Sequence, residues 1–313
     1  MATLRHSGTT RSELKKKLFG YFAVGITVIG GFMVFGTALF MLLHFLVKGL
    51  PHISWEFLSQ APRNNNTEGG IFPAIYGTTF LVLTMALLGV PVGTATALYL
   101  TEYAKQNSFF AKSVRFAVNT LAGVPSIVFG LFGVGFFVQF VGGGLDGLIG
   151  KAGSSAVFGH PALIWASATL SVLTLPVVIV SVEEALRAVP RELREASLAL
   201  GATKWQTIWK IVLPNSLTGI LTGSILAVGR GAGEVAPIIF VGAVYSLPEL
   251  PTSVTDQFMH LGYHLFVLAT QSPDVEAAAP QQYATTVVLL LLTFGLNFTA
   301  TIIRSRIRKK RLA

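Results

Sequence analysis

Five stretches of this chain, residues 18–43, 69–101, 116–145, 152–182 and 277–303, contain no Asp, Glu, Lys or Arg. Each exceeds the roughly 20 apolar residues that cross a hydrocarbon core about 30 Å thick. A sixth apolar run, 211–244, is interrupted only by Arg230 and Glu234. Six such helices folded as the core of a water-soluble protein would leave almost no polar surface. Charged residues make up 12% of the 313, against roughly 25% in soluble domains. The sequence therefore predicts an all-α membrane protein, with six transmembrane helices near 18–47, 74–100, 114–141, 162–182, 216–244 and 284–303. The first run follows Lys15, Lys16 and Lys17, as a secretory leader would. It outruns the roughly 7–15 apolar residues of a leader and ends in no small-residue cleavage pattern, so a retained helix is expected.

With those spans, successive loops alternate sides. One side receives 1–17, 101–115, 183–214 and 304–313, which hold 5, 3, 5 and 6 Lys or Arg, 19 of the 23 in the chain. The other side receives only Lys48, Arg63 and Lys151, and Arg230 remains in the membrane. The excess of basic residues on one side predicts that both termini are cytoplasmic. It also accounts for most of the net charge of +9. The basic runs abut membrane spans, where they face lipid headgroups, so no nucleic-acid partner is expected. The absence of cysteine excludes disulfides and thiolate metal sites, and the six histidines form no H-E-x-x-H pair.

The outer loops are 48–73, 142–161 and 245–283. The last contains "PELPTSVTDQFMHLGYHLF", long enough for a short amphipathic helix at the outer surface. Its acids Glu249, Asp256, Asp274 and Glu276 have no basic partner within the loop. A solvated connector and a docking surface for an external partner are both open. The inner loop, "EEALRAVPRELREASLALGATKWQTIWKIVLP", reads as helix, glycine stop and helix. Pro190 stands where the first helix could begin, Leu193, Ala196 and Leu200 give it an apolar or small face, and Gly201 stops it. A second piece from Thr203 to Val212 carries Trp205, Ile208 and Trp209 before Pro214. The pattern alone allows a helix resting on lipid or a handle gripped by another protein.

Glu195-Ala196-Ser197, then Gly201, then Ile211, Leu213 and Pro214 resemble the EAA loop of membrane subunits of binding-protein-dependent ABC importers, with Ser197 at a position usually Ala. That resemblance implies a type I ABC importer permease fold and a coupling helix seated in an ATPase cleft. "GGIFPAIYGTTFLVLTMALLGVPVGTATALYLTEYA", "LAGVPSIVFGLFG" and "GRGAGEVAPIIF" are similar to phosphate importer permeases, with Gly231 for the usual Ala and Val235 for the usual Thr. Length, the short first outer loop and "SLPEL" look more like the PstA-type subunit than its PstC-type partner. The implied organisation is 1–68, a cytoplasmic tail, first helix and external loop; 69–303, a permease domain with its coupling loop at 183–214; and 304–313, a basic tail. The implied partners are a homologous PstC-type permease, two cytoplasmic ATPase subunits that bind ATP and Mg, and an external phosphate-binding protein. The implied location is the bacterial cytoplasmic (inner) membrane.

Arg230 and Glu234 are expected on one helical face, beyond the membrane's middle. A charge at the bilayer centre costs about 2.5–3.5 kcal/mol on insertion scales and usually faces a bundle interior or a water-filled cavity. Arg before Glu is the less favourable order in a helix, so helix support does not explain the pair. A self-neutralising ion pair between packed helices is one reading, helped by the Gly219/Gly223 and Gly229/Gly233 pairs. The other is that Arg230 attracts an oxyanion with its planar fork while Glu234 holds it in place or pairs with a sister subunit. Ser126, after Pro125, and Thr78 are further pathway candidates, although their hydroxyls could instead satisfy helix carbonyls. "LDGLIGKAG" (145–153) approaches a P-loop but has Leu145 for the first Gly and Ala152 for Ser or Thr. No ATP hydrolysis is therefore expected in this chain, and no cofactor. The expected function is half of the membrane pathway of an ATP-driven phosphate importer. A sulfate or molybdate permease and an ATP-independent secondary transporter are the alternatives, and a membrane enzyme is disfavoured because no second titratable cluster accompanies the pair.

Overall fold

In a computed structural model, the described residues are 7–63, 68–105, 108–151, 153–272 and 274–312. The start of the amino-terminal tail, and the side chains of the Arg308–Arg311 basic run, lie outside what is described. Six helices are long and apolar enough to span a membrane: Lys15–His52, Phe72–Tyr103, Ser126–Leu148, Leu163–Arg187, Lys204–Gly233 and Glu276–Ile307. The ends carrying the basic loops lie together; they are called the basic end below.

Helix α1 (Ser7–Gly49) packs against the last helix, α12 (Val275–Leu312), through His44 and Phe45 on the Tyr283 ring. The short α2 (Trp55–Ser59) is capped by Ser54 Oγ, which accepts the Phe57 N–H at 3.1 Å. It leads to a two-stranded ribbon, β1 (Pro62–Arg63) with β2 (Glu68–Gly69). The centre of the bundle is α3 (Phe72–Leu98), α7 (Leu163–Arg187) and α10 (Leu213–Gly233). Small residues let these three helices approach. Gly89 and Gly93 of α3 face Ser171 and Val178 of α7, and Gly219 and Gly223 of α10 face Ala185 and Ser181. Ser171 also donates to the Met85 carbonyl at 2.9 Å. The Gly219/Gly223 pair thus acts as a close-approach surface. In the second pair only Gly229 does, against Asn297 of α12, while Gly233 faces open space.

Two spans differ from the sequence expectation. The third, expected unbroken over 114–141, is two pieces: α4 (Phe109–Leu121) and a helix from Ser126 to Leu148, comprising α5 (Ser126–Phe132), a π-helical stretch and α6 (Gly143–Leu148). Pro125 has no N–H and disfavours the helical region for the residue before it, so the helix stops and restarts there. The fifth, expected at 216–244, begins at Lys204 and ends at Gly233. Glu234 is extended (φ −81°, ψ 126°), and 236–242 continue as turns.

Beyond the turns, β3 (Ala243–Val244) pairs in parallel with β4 (Phe258–Met259). This segment, the last of the predicted outer loops and at the end opposite the basic one, is neither a loose connector nor a surface helix. Phe258, Met259 and Leu261 are fully buried, and α11 (Leu261–Thr270) packs into the body against α12. It also satisfies the start of α7, whose Ala162, Leu163 and Ile164 N–H groups donate to the carbonyls of Val241, Asp256 and Val254. Two of its acids have local tasks. Asp274 Oδ1 accepts the Ala277 N–H at the head of α12, and Asp256 accepts the Thr252 and Ser253 N–H groups. Those bonds, Ser253 first, hold the Asp256 carboxyl below its ordinary range.

Candidate functional site

Arg230 lies in the last turn of α10, and its Nε donates to Glu234 Oε1 at 3.3 Å. Because Glu234 is the residue that caps the helix, the pair is not two positions on one helical face. The unfavourable Arg-before-Glu order does not apply, and a guanidinium at a helix C-terminus meets favourable partial charge. The neighbours of Gly231 are Met85 of α3 and Thr174 of α7. Both stand near the middle of their spans, so Arg230 is at mid-depth rather than in the outer half. Its side chain is 47% exposed and that of Glu234 22%.

The other helix break reaches the same depth. Gly133 meets Thr169, and Ser126 lies about two turns nearer the basic end, which helix rise alone sets near the level of Pro176 on α7. Ser126 opens α5 with Pro125 as N-cap and no side-chain cap; the Val128 N–H closes the first turn on Pro125 O at 3.0 Å. The two breaks touch, since Gly130 packs against Pro237. A helix C-terminus bearing a cation and an uncapped helix N-terminus therefore sit at one level of the bundle. Thr78 is elsewhere: it has no exposed surface, and its Oγ1 accepts the Leu261 N–H at 2.9 Å. In this conformation it fastens the outer segment to α3. His260 is also buried there. Its Nδ1 accepts the Gly262 N–H at 3.1 Å, and burial pushes its pKa down to about 3, so it stays neutral.

The second group of candidates forms a helix–turn–helix at the basic end. α8 (Arg191–Ala199) follows Pro190, which is its N-cap. Gly201 has φ +84°, the left-handed conformation that glycine adopts without a Cβ penalty. Its N–H donates to Leu198 O at 3.0 Å, and that of Ala202 to Ser197 O at 3.2 Å, the paired bonds of a Schellman stop. Gly201→Ala meets no steric neighbour, so only the backbone conformation opposes it. It should cost about 1–2 kcal/mol, read as a lowered Tm of the detergent-solubilised protein. α9 (Lys204–Thr207) begins with a capping box in which Thr203 and Gln206 bond reciprocally.

Glu195 and Ala196 are exposed, and Ser197 Oγ lies 3.0 Å from Thr207 Oγ1. Leu193, Leu198, Leu200, Trp205 and Trp209 leave an apolar surface uncovered. Leu213 and Pro214 do not break the chain at the membrane entry. The helix runs through from Lys204, with a π-helical turn at Ile208–Val212. Pro214 cannot donate to the carbonyl four residues back, and the wider turn before it absorbs that loss.

A charged network between α8 and the spans is absent from the sequence expectation. Arg115 and Arg187 both donate to Glu183 Oε2, at 2.9 and 3.1 Å. Arg194 binds Glu102 Oε1 at 3.1 Å. A second titratable cluster therefore exists, but each carboxylate is engaged by arginine at the basic end, far from the mid-depth pair. The one sequence hint was that Glu102 and Glu183 are the first charges after long charge-free runs.

Over residues 89–309, more than half of the chain, the sequence matches the family described as binding-protein-dependent transport system inner membrane component. The chain belongs to that family. It is 28% identical over 281 residues to a probable ABC transporter permease protein, YqgI, of Bacillus subtilis, covering 85% of this chain and 88% of that one. It is 35% identical over 229 residues to the phosphate transport system permease protein PstA of Yersinia pestis, covering 72% and 68%. The match to PstA 1 of Mycobacterium tuberculosis H37Rv is 41% over 180 residues, covering 57% of this chain and 53% of that one. Among solved structures, a bacterial alginate ABC transporter superposes with a TM-score of 0.64 at 18% identity, over 95% of this chain and 97% of that chain. The MetNI methionine transporter in inward-facing form gives 0.52 at 20%, over 76% and 94%. The fold is that of a type I ABC importer permease, in a multi-pass membrane protein.

Proposed function

We propose that this chain forms half of the membrane pathway of an ATP-driven, binding-protein-dependent importer of inorganic phosphate. Arg230 at a mid-depth helix break carries the reading. A guanidinium exposed to lipid at that level would cost about 2.5–3.5 kcal/mol, so its open face belongs to water or to a second protein. Broken helices at the bilayer midplane are where transporters bind ions and substrates. Arg230 offers two parallel donors to an oxyanion, and the helix that begins at Ser126 turns the positive end of its dipole toward the same level. Glu234 orients the guanidinium and opposes overly tight anion binding. Phosphate is chosen over sulfate or molybdate because the named relatives include PstA permeases.

In this reading the basic end is cytoplasmic, with both termini, in the cytoplasmic (inner) membrane of a bacterium. Its 19 basic residues support that orientation. The exposed apolar surface on α8 and α9 seats in an ATPase subunit, with Glu195, Ala196, Ser197 and Gly201 forming the docking turn. A PstC-type permease covers the open face of Arg230, and a phosphate-binding protein delivers substrate at the opposite end. Glu195→Lys separates this from an ATP-independent transporter. It should lower uptake of labelled phosphate into proteoliposomes by at least about tenfold, since a reversed charge at a docking surface costs several kcal/mol. Undiminished uptake would instead favour a secondary transporter.

A further inference from the structure

We propose that Arg194 is the positioning residue that carries movement of α8 to α3 and α7. The inference rests on reading α8 and α9 as the ATPase-coupling segment. α8 buries none of its own residues, so apolar packing does not fasten it to the bundle. Polar bonds do. Arg194 Nη2 donates to Leu186 O at 2.6 Å, and Nη1 to Val189 O at 3.1 Å, both at the end of α7. Nη2 also reaches Glu102 Oε1 at 3.1 Å, beyond the end of α3. One guanidinium therefore joins a surface helix to the ends of two central spans. The pair is well shielded, with 19% and 10% of the two side chains exposed, so solvent screens it little.

The element that Glu102 belongs to makes this join consequential. Tyr99–Tyr103 is a π-helical turn, closed by the Ala104 N–H on Tyr99 O at 2.8 Å. Such turns depart from the α ladder and are frequent at functional sites. This one is also gripped from other sides. Arg115 of α4 donates to Leu100 O at 3.2 Å, and Lys204 Nζ of α9 stands 4.9 Å from the centre of the Tyr103 ring. On the other branch, Ser197 Oγ and Thr207 Oγ1 link α8 to the helix that continues into α10. A displacement of α8 thus reaches α3 and α7 through Arg194, and α10 through Ser197. α3, α7 and α10 enclose the level of Arg230. Lysine replaces the join only in part, because one ammonium lacks the planar fork that meets two carbonyls and a carboxylate together.

The test uses the complete importer, with its ATPase subunits and binding protein, in proteoliposomes supplied with labelled phosphate. Arg194→Met, Arg194→Lys and Glu102→Gln are compared with wild type for ATPase co-purification, stimulated ATP hydrolysis and phosphate taken up per ATP. Arg194→Met and Glu102→Gln should keep co-purification, and hydrolysis within about twofold, while uptake per ATP falls about tenfold, as expected for a lost charge-assisted bond. Arg194→Lys should fall between. Wild-type uptake per ATP in both Arg194→Met and Glu102→Gln overturns the proposal. If Arg194→Met does not assemble, Glu102→Gln decides alone, because it leaves α8 untouched: reduced uptake per ATP upholds the join, and an unchanged value overturns it. The coupling reading fails by a different sign, hydrolysis and uptake indifferent to Glu195→Lys.

Discussion

Arg230→Gln is expected to lower ATP-driven phosphate uptake about a hundredfold while leaving assembly with the ATPase subunits intact. Two charge-assisted hydrogen bonds to an oxyanion contribute about 1.5 kcal/mol or more each, and 1.4 kcal/mol is a factor of ten. Glutamine keeps much of the side-chain volume and one donor group but removes the charge. The fold tolerates the change, because among the described residues Arg230 bonds only to Glu234, at 3.3 Å, and its side chain is half exposed. Arg230→Lys keeps the charge without the fork and should lose about tenfold. Proteoliposome uptake normalised to assembled complex checks both. Wild-type uptake by Arg230→Gln would reduce the pair to a packing element.

The second large effect concerns stability. Gly77 of α3 packs against the backbone carbonyl of Met259, and a Cβ there would overlap that oxygen. The neighbouring Thr78 hydroxyl holds the Leu261 N–H. Together they pin the buried strand β4 and the start of α11 to α3. Gly77→Ala must push two backbones apart, and overpacking of this kind costs about 1–3 kcal/mol. The expected result is a lower Tm in detergent, with faster hydrogen exchange confined to 258–262. Gly295→Ala on α12, where no atom lies within contact distance, should change neither. A Gly77→Ala protein as stable as wild type would mean that the outer segment is not pinned there.

The six spans were legible because a charge-free run is a local property, and its length alone answers to the thickness of a bilayer. Their breaks were not. Residues 235–244 are as apolar as a helix interior, so hydropathy carried the fifth span past Gly233. The backbone signals lay in Gly229, Gly231, Gly233 and Pro237, which weaken a helix without fixing where it stops. Pro125 was visible, yet whether a membrane proline kinks a helix or divides it depends on what packs beside it, here Pro237 against Gly130. The turn at Gly201 was readable because its chemistry is local: small helix, glycine in φ +84°, next helix. The join of Arg194 to Glu102 spans 92 positions of sequence, and no periodicity records it.

The most direct test of the central claim reconstitutes this chain with its second permease, ATPase subunits and binding protein in sealed proteoliposomes. Uptake of labelled phosphate is measured with and without ATP, in competition with arsenate, sulfate or molybdate. Uptake that requires ATP and the binding protein, is inhibited by arsenate and is indifferent to sulfate and molybdate is the predicted result. ATP-independent uptake, or transport of sulfate or molybdate in place of phosphate, would contradict it.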